Sequence, residues 1–310
     1  MIEAAVMIEG QDGLTWPRWK RIARTVEEAG FAGLYRSDHY TNPQPPDKPS
    51  LELWTSLTWL AAETERIEFG PLVSPVSFRH PSMTARMAAA VDDLSGGRLI
   101  LGVGAGWMER EHEVFGRDLL GISERFDRFE EGLEIISRLL ENDQPSRFEG
   151  QYFQLRDGIL LPRPNRPGGP PLLIGGNGPQ RTLPLTARFA DEWNAVFIPL
   201  ETYRKRAARL DDLLKEEGRE FGEVRRSLMT RVIYDRNPDQ IASQVEKEFQ
   251  GEKTPDDLRK DGYLVGTGDQ IIDQLKEWES AGVQRVMMQW LDQRNLFKLR
   301  ALADDILDKI

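Results

Sequence analysis

The sequence predicts an α/β fold, a (β/α)8 TIM barrel with an insertion after the fourth barrel unit. Three observations predict it. Eight short apolar runs of strand length alternate with longer stretches of helical period. The fourth run, Arg98 to Val103, is apolar without a break, the texture of a strand buried on both faces. The alternation is interrupted once, over residues 143–171, by an aromatic and proline-rich stretch. Strands in such units are parallel with right-handed connections, and eight of them close a barrel filled by side chains. A doubly wound open sheet is the competing architecture. No low-complexity linker divides the chain, so residues 1–310 are expected to form one barrel domain, with 143–171 as an insertion or lid within it.

The first strand is Ile2 to Ile8. Thr15 can cap a helix to about Ala29, with Pro17 tolerated in its first turn and Gly30 ending it. Trp19, Ile22, Val26 and Ala29 share one face of it. Gly33 to Arg36 is the second strand, and a proline-rich loop follows from Asn42 to Pro49. Ser50 is expected to cap a helix to about Glu63, before a third strand from Ile67 to Val73. A helix from Met83 to Leu94 stops at Gly96-Gly97 and leads into the fourth strand. Phe126, Phe129, Leu133, Ile136 and Leu140 step by threes and fours along a strong amphipathic helix. In the insertion, Phe148, Tyr152, Phe153 and Leu155 around Glu149-Gly150-Gln151 predict a small hairpin.

Leu172 to Gly175 resumes the barrel as its fifth strand, with a helix from Pro179 to Phe189 after it. Glu192 to Phe197 is the sixth strand, Glu201 to Glu217 a helix and Ser227 to Tyr234 the seventh strand. Asn237 and Thr267 each open a helix with capping-box spacing, and residues 250–265 between those helices are expected to be irregular. Val283 to Trp290 is the eighth strand, and a closing helix carries Leu296, Leu299, Leu302 and Ile306.

Composition narrows the function. The net charge of −10 disfavours nucleic acid and anionic membranes as partners. A small-molecule substrate remains, even an anionic one, because local backbone N–H groups can bind it. The absence of cysteine excludes disulfides, zinc–thiolate sites and thiol nucleophiles. No run of apolar residues is long enough to span a bilayer, and the N-terminus has no signal-peptide pattern. The expected compartment is the cytoplasm.

Chemistry is expected at the strand tips, because the C-terminal face of a barrel carries the site. The second strand runs directly into Asp38-His39-Tyr40, where an imidazole can move a proton and a carboxylate can orient it or anchor a ligand. The plainer reading is an Asp that caps the loop and a His packed on aromatics. At the fourth tip, Gly104 and Gly106 let a ligand approach the backbone, or simply pack at the rim. The spacing lacks the third glycine and downstream acid of a dinucleotide fingerprint. At the fifth tip, Gly175-Gly176-Asn177-Gly178 opens a helix whose free N–H groups suit an anion; a plain glycine turn is the alternative. Residues 70–81 form a small, apolar, proline-turned wall for a flat ring, or an ordinary loop. His80 and His112 have no metal spacing, and Glu109, Glu111 and Glu113 read as a solvated charged face, so no metal is expected.

Together these stretches resemble the bacterial luciferase-like family of flavin and deazaflavin oxidoreductases. Ser37-Asp38-His39 resembles the second-strand motif of members using the deazaflavin coenzyme F-420. Leu94 through Trp107 resembles the family's fourth-strand signature, and Gly175-Gly176-Asn177-Gly178 its phosphate loop. The resemblance implies hydride transfer between coenzyme F-420 and a small organic substrate, with His39 catalytic and Asp38 contacting the cofactor. It implies that the ring rests near a non-proline cis peptide at Leu72-Val73. Gly104 and Gly106 would then flank the ring or its side chain, and Gly175, Gly176 and Asn177 the phosphate. A homodimer is also implied. The sequence departs from the sugar-phosphate dehydrogenases of the family. Trp107 stands where they carry an acid, and Tyr40-Thr41-Asn42-Pro43 lacks their tryptophan after the histidine. An FMN-dependent monooxygenase of the same family is the alternative. A cofactor-storage protein and a metal-dependent barrel hydrolase are rivals from other classes.

Overall fold

In the computed structural model, which describes residues 1–310, the first strand shows why a barrel forms. Along β1 (Glu3–Ile8), Ala4, Val6 and Ile8 join the core between strands and helices, whereas Ala5 and Met7 join the cluster inside the barrel. Successive side chains point to opposite faces of a strand, so an apolar residue at every position means burial on both sides. The strands that follow are β2 (Gly33–Arg36), β3 (Glu68–Pro71, resumed at Ser74–Pro75), β4 (Leu101–Gly104), β5 (Leu172–Gly175), β6 (Glu192–Val196), β7 (Arg225–Tyr234) and β8 (Arg285–Gln289). Their order in the sheet is β3-β2-β1-β8-β7-β6-β5-β4, all parallel. The ring closes where β4 pairs with Ser74–Pro75 and Leu99 bridges to Phe69. This is the expected barrel.

Inside it, Ala5, Met7, Tyr35, Leu72, Ile100, Leu173, Met229 and Met287 form one cluster. Below them the N-terminal end is closed by charge. Arg285 donates to the Tyr35 hydroxyl at 2.7 Å, pairs with Glu3 at 2.7 Å and with Glu68, and stands 3.5 Å from Glu192. The barrel is thus closed at its base by the Arg285 cluster.

Four local expectations are corrected. The helix Leu53–Glu63 is capped by Glu52, whose carboxylate accepts from Thr55 N at 2.7 Å; the Ser50 hydroxyl instead donates to the His39 carbonyl. The third strand is not continuous: it breaks at Leu72-Val73, whose peptide is cis, as the resemblance implies. Residues 250–265 are not irregular but contain a helix, Pro255–Lys260, and a strand, Leu264–Gly266, parallel to β7. Glu109–Val114 is a helix with Glu111 and His112 buried, not a solvated face. The 143–171 stretch does hold a hairpin, Ser146–Glu149 with Gln154–Gly158. Its turn is fastened by Glu131, which accepts from the N–H groups of Gln151, Tyr152 and Phe153.

Candidate active site

The C-terminal mouth opens into a cavity of about 580 Å³. Its floor is the top of the barrel interior: Met7, Leu72, Val73 and Met229. Glycines of β4 and β5 form one side, and the tip of β2 the other.

Val73 explains the glycines. A Cβ on Gly104 would lie 2.7 Å from one Val73 methyl, and a Cβ on Gly175 3.1 Å from the other. Gly102 is closer still to the main chain, where a Cβ would stand 2.1 Å from the Pro71 carbonyl oxygen. The alternate glycines of β4 therefore admit the broken third strand. Gly106 has φ +86°, a left-handed conformation that other residues rarely adopt. Leu72, Val73, Gly104, Gly106, Gly175 and Gly176 all line the cavity.

His39 stands on the opposite wall. Its Nδ1 is 2.9 Å from Oε1 of Glu111, and Oε2 of the same carboxylate accepts from Tyr40 N at 3.0 Å. Glu111 is 1% exposed. A carboxylate cannot donate, so Nδ1 carries the proton and Nε2 is left as the acceptor. Nε2 makes no bond to the protein. Burial pushes the imidazole pKa down, but the hydrogen bond and charge of Glu111, with Glu9 and Asp38 behind it, outweigh this and hold it above the ordinary range. Glu111 lay outside the residues expected from sequence. The other histidines are structural: His112 sits between the Met108 carbonyl and the Ser77 hydroxyl, 2.7 Å from each, and His80 caps the helix Pro81–Leu94.

Asp38 is not in the cavity wall. Its carboxylate accepts from Ser74 Oγ at 2.8 Å and binds Arg79, so it ties the β2 tip to the far half of β3. Asn177 is also turned aside, with its amide spanning the Val196 N–H and carbonyl. Beside it, the N–H groups of Asn177, Gly178, Gln180 and Arg181 donate to no protein acceptor. They stand at the entrance of the helix Thr182–Phe189, where backbone donors and the helix dipole favour an anion. Asn194 on β6 lines the cavity with a buried Oδ1 that has no partner. None of residues 143–171 lines the cavity. No three acidic or histidine side chains are grouped to hold a metal ion, and no helix is long and apolar enough to cross a membrane.

The fold and site can be set beside known proteins. An F-420-dependent glucose-6-phosphate dehydrogenase of Amycolatopsis mediterranei is 26% identical, with 92% of each chain aligned. A 4-hydroxyprotoasukamycin monooxygenase of Streptomyces nodosus is 30% identical over 66% of this chain and 53% of its own. Among solved structures, an F-420-dependent secondary alcohol dehydrogenase, in complex with an F-420–acetone adduct, superposes with a TM-score of 0.85 at 18% identity, over 99% of both chains. Residues 3–253 match the family model described as luciferase-like monooxygenase, and the chain belongs to that family.

Proposed function

We propose that this protein is an oxidoreductase that uses coenzyme F-420 to oxidise or reduce a small organic substrate, with His39 moving the accompanying proton. The observation that carries the reading is His39 itself. It stands in the wall of a ligand-sized cavity with Nδ1 held by a buried carboxylate and Nε2 free.

The residues present fit the cofactor. Its phosphate matches the free N–H groups of Asn177, Gly178, Gln180 and Arg181. A ring N–H matches the unpartnered Oδ1 of Asn194. A flat ring matches the apolar floor of Leu72, Val73 and Met229, with Gly104 and Gly106 clearing its edge. Asn177 serves by fixing its loop to β6, and Asp38 by fixing β2 to β3, rather than by direct contact. When bound, the deazaflavin supplies a two-electron hydride acceptor or donor. His39 takes a hydroxyl proton at Nε2 in oxidation and returns it in reduction. The F-420-dependent relatives support this reading.

The similarity to a monooxygenase favours a second reading, in which FMN occupies the same place. Equilibrium titration with both cofactors separates them: F-420 is expected to bind and FMN to bind more weakly. His39→Ala is expected to keep cofactor affinity and lose turnover by about a hundredfold or more. Unchanged turnover would remove His39 from the reaction.

A further inference from the structure

We propose that Glu9 is a ligand-anchoring residue of the cavity, which takes a protonated amine on the substrate through a charge-assisted hydrogen bond. Calling the occupant a substrate rests on the cofactor reading above, which gives the floor of Leu72, Val73 and Met229 to the ring.

Alternation along the strands brings Glu9 to the cavity. Ala5 and Met7 of β1, Tyr35 of β2 and Met287 of β8 belong to the cluster inside the barrel. Two residues on, the same parity brings Glu9, Ser37 and Gln289 to the next layer toward the mouth. Glu9 and Ser37 both line the cavity. The two strand tips are level, since Gly10 N donates to Ser37 Oγ at 2.9 Å and Ser37 N to the Ile8 carbonyl at 3.2 Å. His39 follows two residues after Ser37, and the charge of Glu9 is felt at its imidazole.

Three buried carboxamides fix this residue. Gln289 donates to Oε1 of Glu9 at 2.6 Å, Gln11 to Oε2 at 2.9 Å and Gln293 to its carbonyl at 2.7 Å. Gln11 is held in turn by Ser37, whose hydroxyl donates to Gln11 Oε1 at 2.8 Å. Amide donors are neutral. They orient the carboxylate, leave an acceptor site on each of its oxygens and do not cancel its charge.

No cation pairs with Glu9, whose side-chain bonds are those two alone. The arginines around it are engaged elsewhere. Arg231, level with Gln289 on β7, pairs with Glu248 and lies over the Phe249 ring. Arg36, on the opposite face of β2 from Ser37, is bonded to the Ser56 hydroxyl and the Leu51 carbonyl and does not line the cavity. Arg125, in the cavity wall, donates to the Gly106 carbonyl. A fixed carboxylate without a counter-ion in a largely apolar cavity attracts a cation, and an ammonium brings charge and N–H donors together.

The test is a calorimetric binding series at neutral pH, in the protein alone and with coenzyme F-420 in excess. The probes are cyclohexylamine, cyclohexanol and cyclohexanecarboxylate, which share a ring and differ in charge. The amine is expected to bind about tenfold more tightly than the alcohol, and the carboxylate most weakly. In Glu9→Gln, which keeps the shape, the amine should lose about tenfold and the alcohol less than about twofold. Glu9→Asp draws the charge back by one methylene and should also weaken the amine and not the alcohol, which carries the test if Glu9→Gln does not fold. Equal affinity for amine and alcohol in the wild type, or an amine preference untouched in the variants, overturns the inference. A loss shared by all three probes would show that Glu9 only holds its loop, and overturns it too. An amine preference that vanishes when F-420 is added means the amine sat in the ring's place, and overturns the assignment to substrate. Failure of F-420 to bind is read in its own titration and counts against the cofactor reading, while the charge order and its response to Glu9→Gln are read in the protein alone.

Discussion

Oε1 of Glu111 lies 2.9 Å from Nδ1 of His39, and the same carboxylate's second oxygen holds Tyr40 N at 3.0 Å. One buried acid thus fixes both the ring's tautomer and the loop that carries it. In Glu111→Gln the shape is kept and the charge is lost. Turnover in the direction in which Nε2 of His39 would accept the proton should rise with pH through the His39 pKa. Because Glu111 holds that pKa up, the midpoint of the rise should move to lower pH in the variant, with kcat down about tenfold or more. A pH profile of kcat checks this. A midpoint that stays in place would show that the acid acts on the loop alone.

The same shift has a consequence for stability. The folded pKa of His39 is raised above its unfolded value of about 6.5. Its contribution is therefore fully present below about pH 6.5 and lost as pH rises through the folded value. The melting temperature of the wild type minus that of His39→Gln should be larger at about pH 5.5 than at about pH 9. Thermal melts of both proteins across that range measure it, and a constant difference would contradict it.

Gly104 and Val73 make a packing prediction. A Cβ on residue 104 would stand 2.7 Å from Cγ2 of Val73, and a β-branched side chain has few rotamers to retreat to. Gly104→Ala should cost ~1–3 kcal/mol by overpacking. In a Val73→Ala background the cost should fall, giving a coupling energy of about 1 kcal/mol or more in denaturant melts. An equal cost in both backgrounds would trace it to the backbone instead.

These sites differ in how far they could be read from sequence. The β2 tip and the glycine loops were legible because each is a local pattern: an apolar run ending in Asp38-His39, or glycines at a strand end. Glu111 was not, because its partner is 72 residues away and its neighbours Glu109, Arg110 and Glu113 give the segment the texture of a solvated face. Asp38 was legible as a strand-tip acid, but its bonds to Ser74 and Arg79 were not, since only the fold brings those groups to its carboxylate. The elements within 250–265 are too short to show a period, and the break in β3 depends on contacts from β4. The role of the glycines was legible only in part. They stand at the cavity, but Gly104 also makes room for Val73, and Gly175 packs closely on the same side chain.

The base of the barrel gives the last prediction. Arg285 is 2% exposed, and three of the acids near it come from three different strands: Glu3 on β1, Glu68 on β3 and Glu192 on β6. Nothing in this cluster reaches the cavity, so its effect should be on stability rather than on ligand binding. Arg285→Ala leaves the buried Glu192 without its cation and should cost ~3–5 kcal/mol. Burial already pushes the Glu192 carboxyl up against the lowering effect of Arg285, so removal of the arginine drives it higher. A folded pKa raised above the unfolded value penalises the native state at high pH and releases it as pH falls. The deficit of Arg285→Ala should therefore be largest near neutrality, shrink on acidification, and be partly recovered at neutral pH by Glu192→Gln. Denaturant melts of the single and double variants at two pH values decide it. A deficit equal at both, with no recovery in the double variant, would mean that Arg285 acts by filling space and not by its charge.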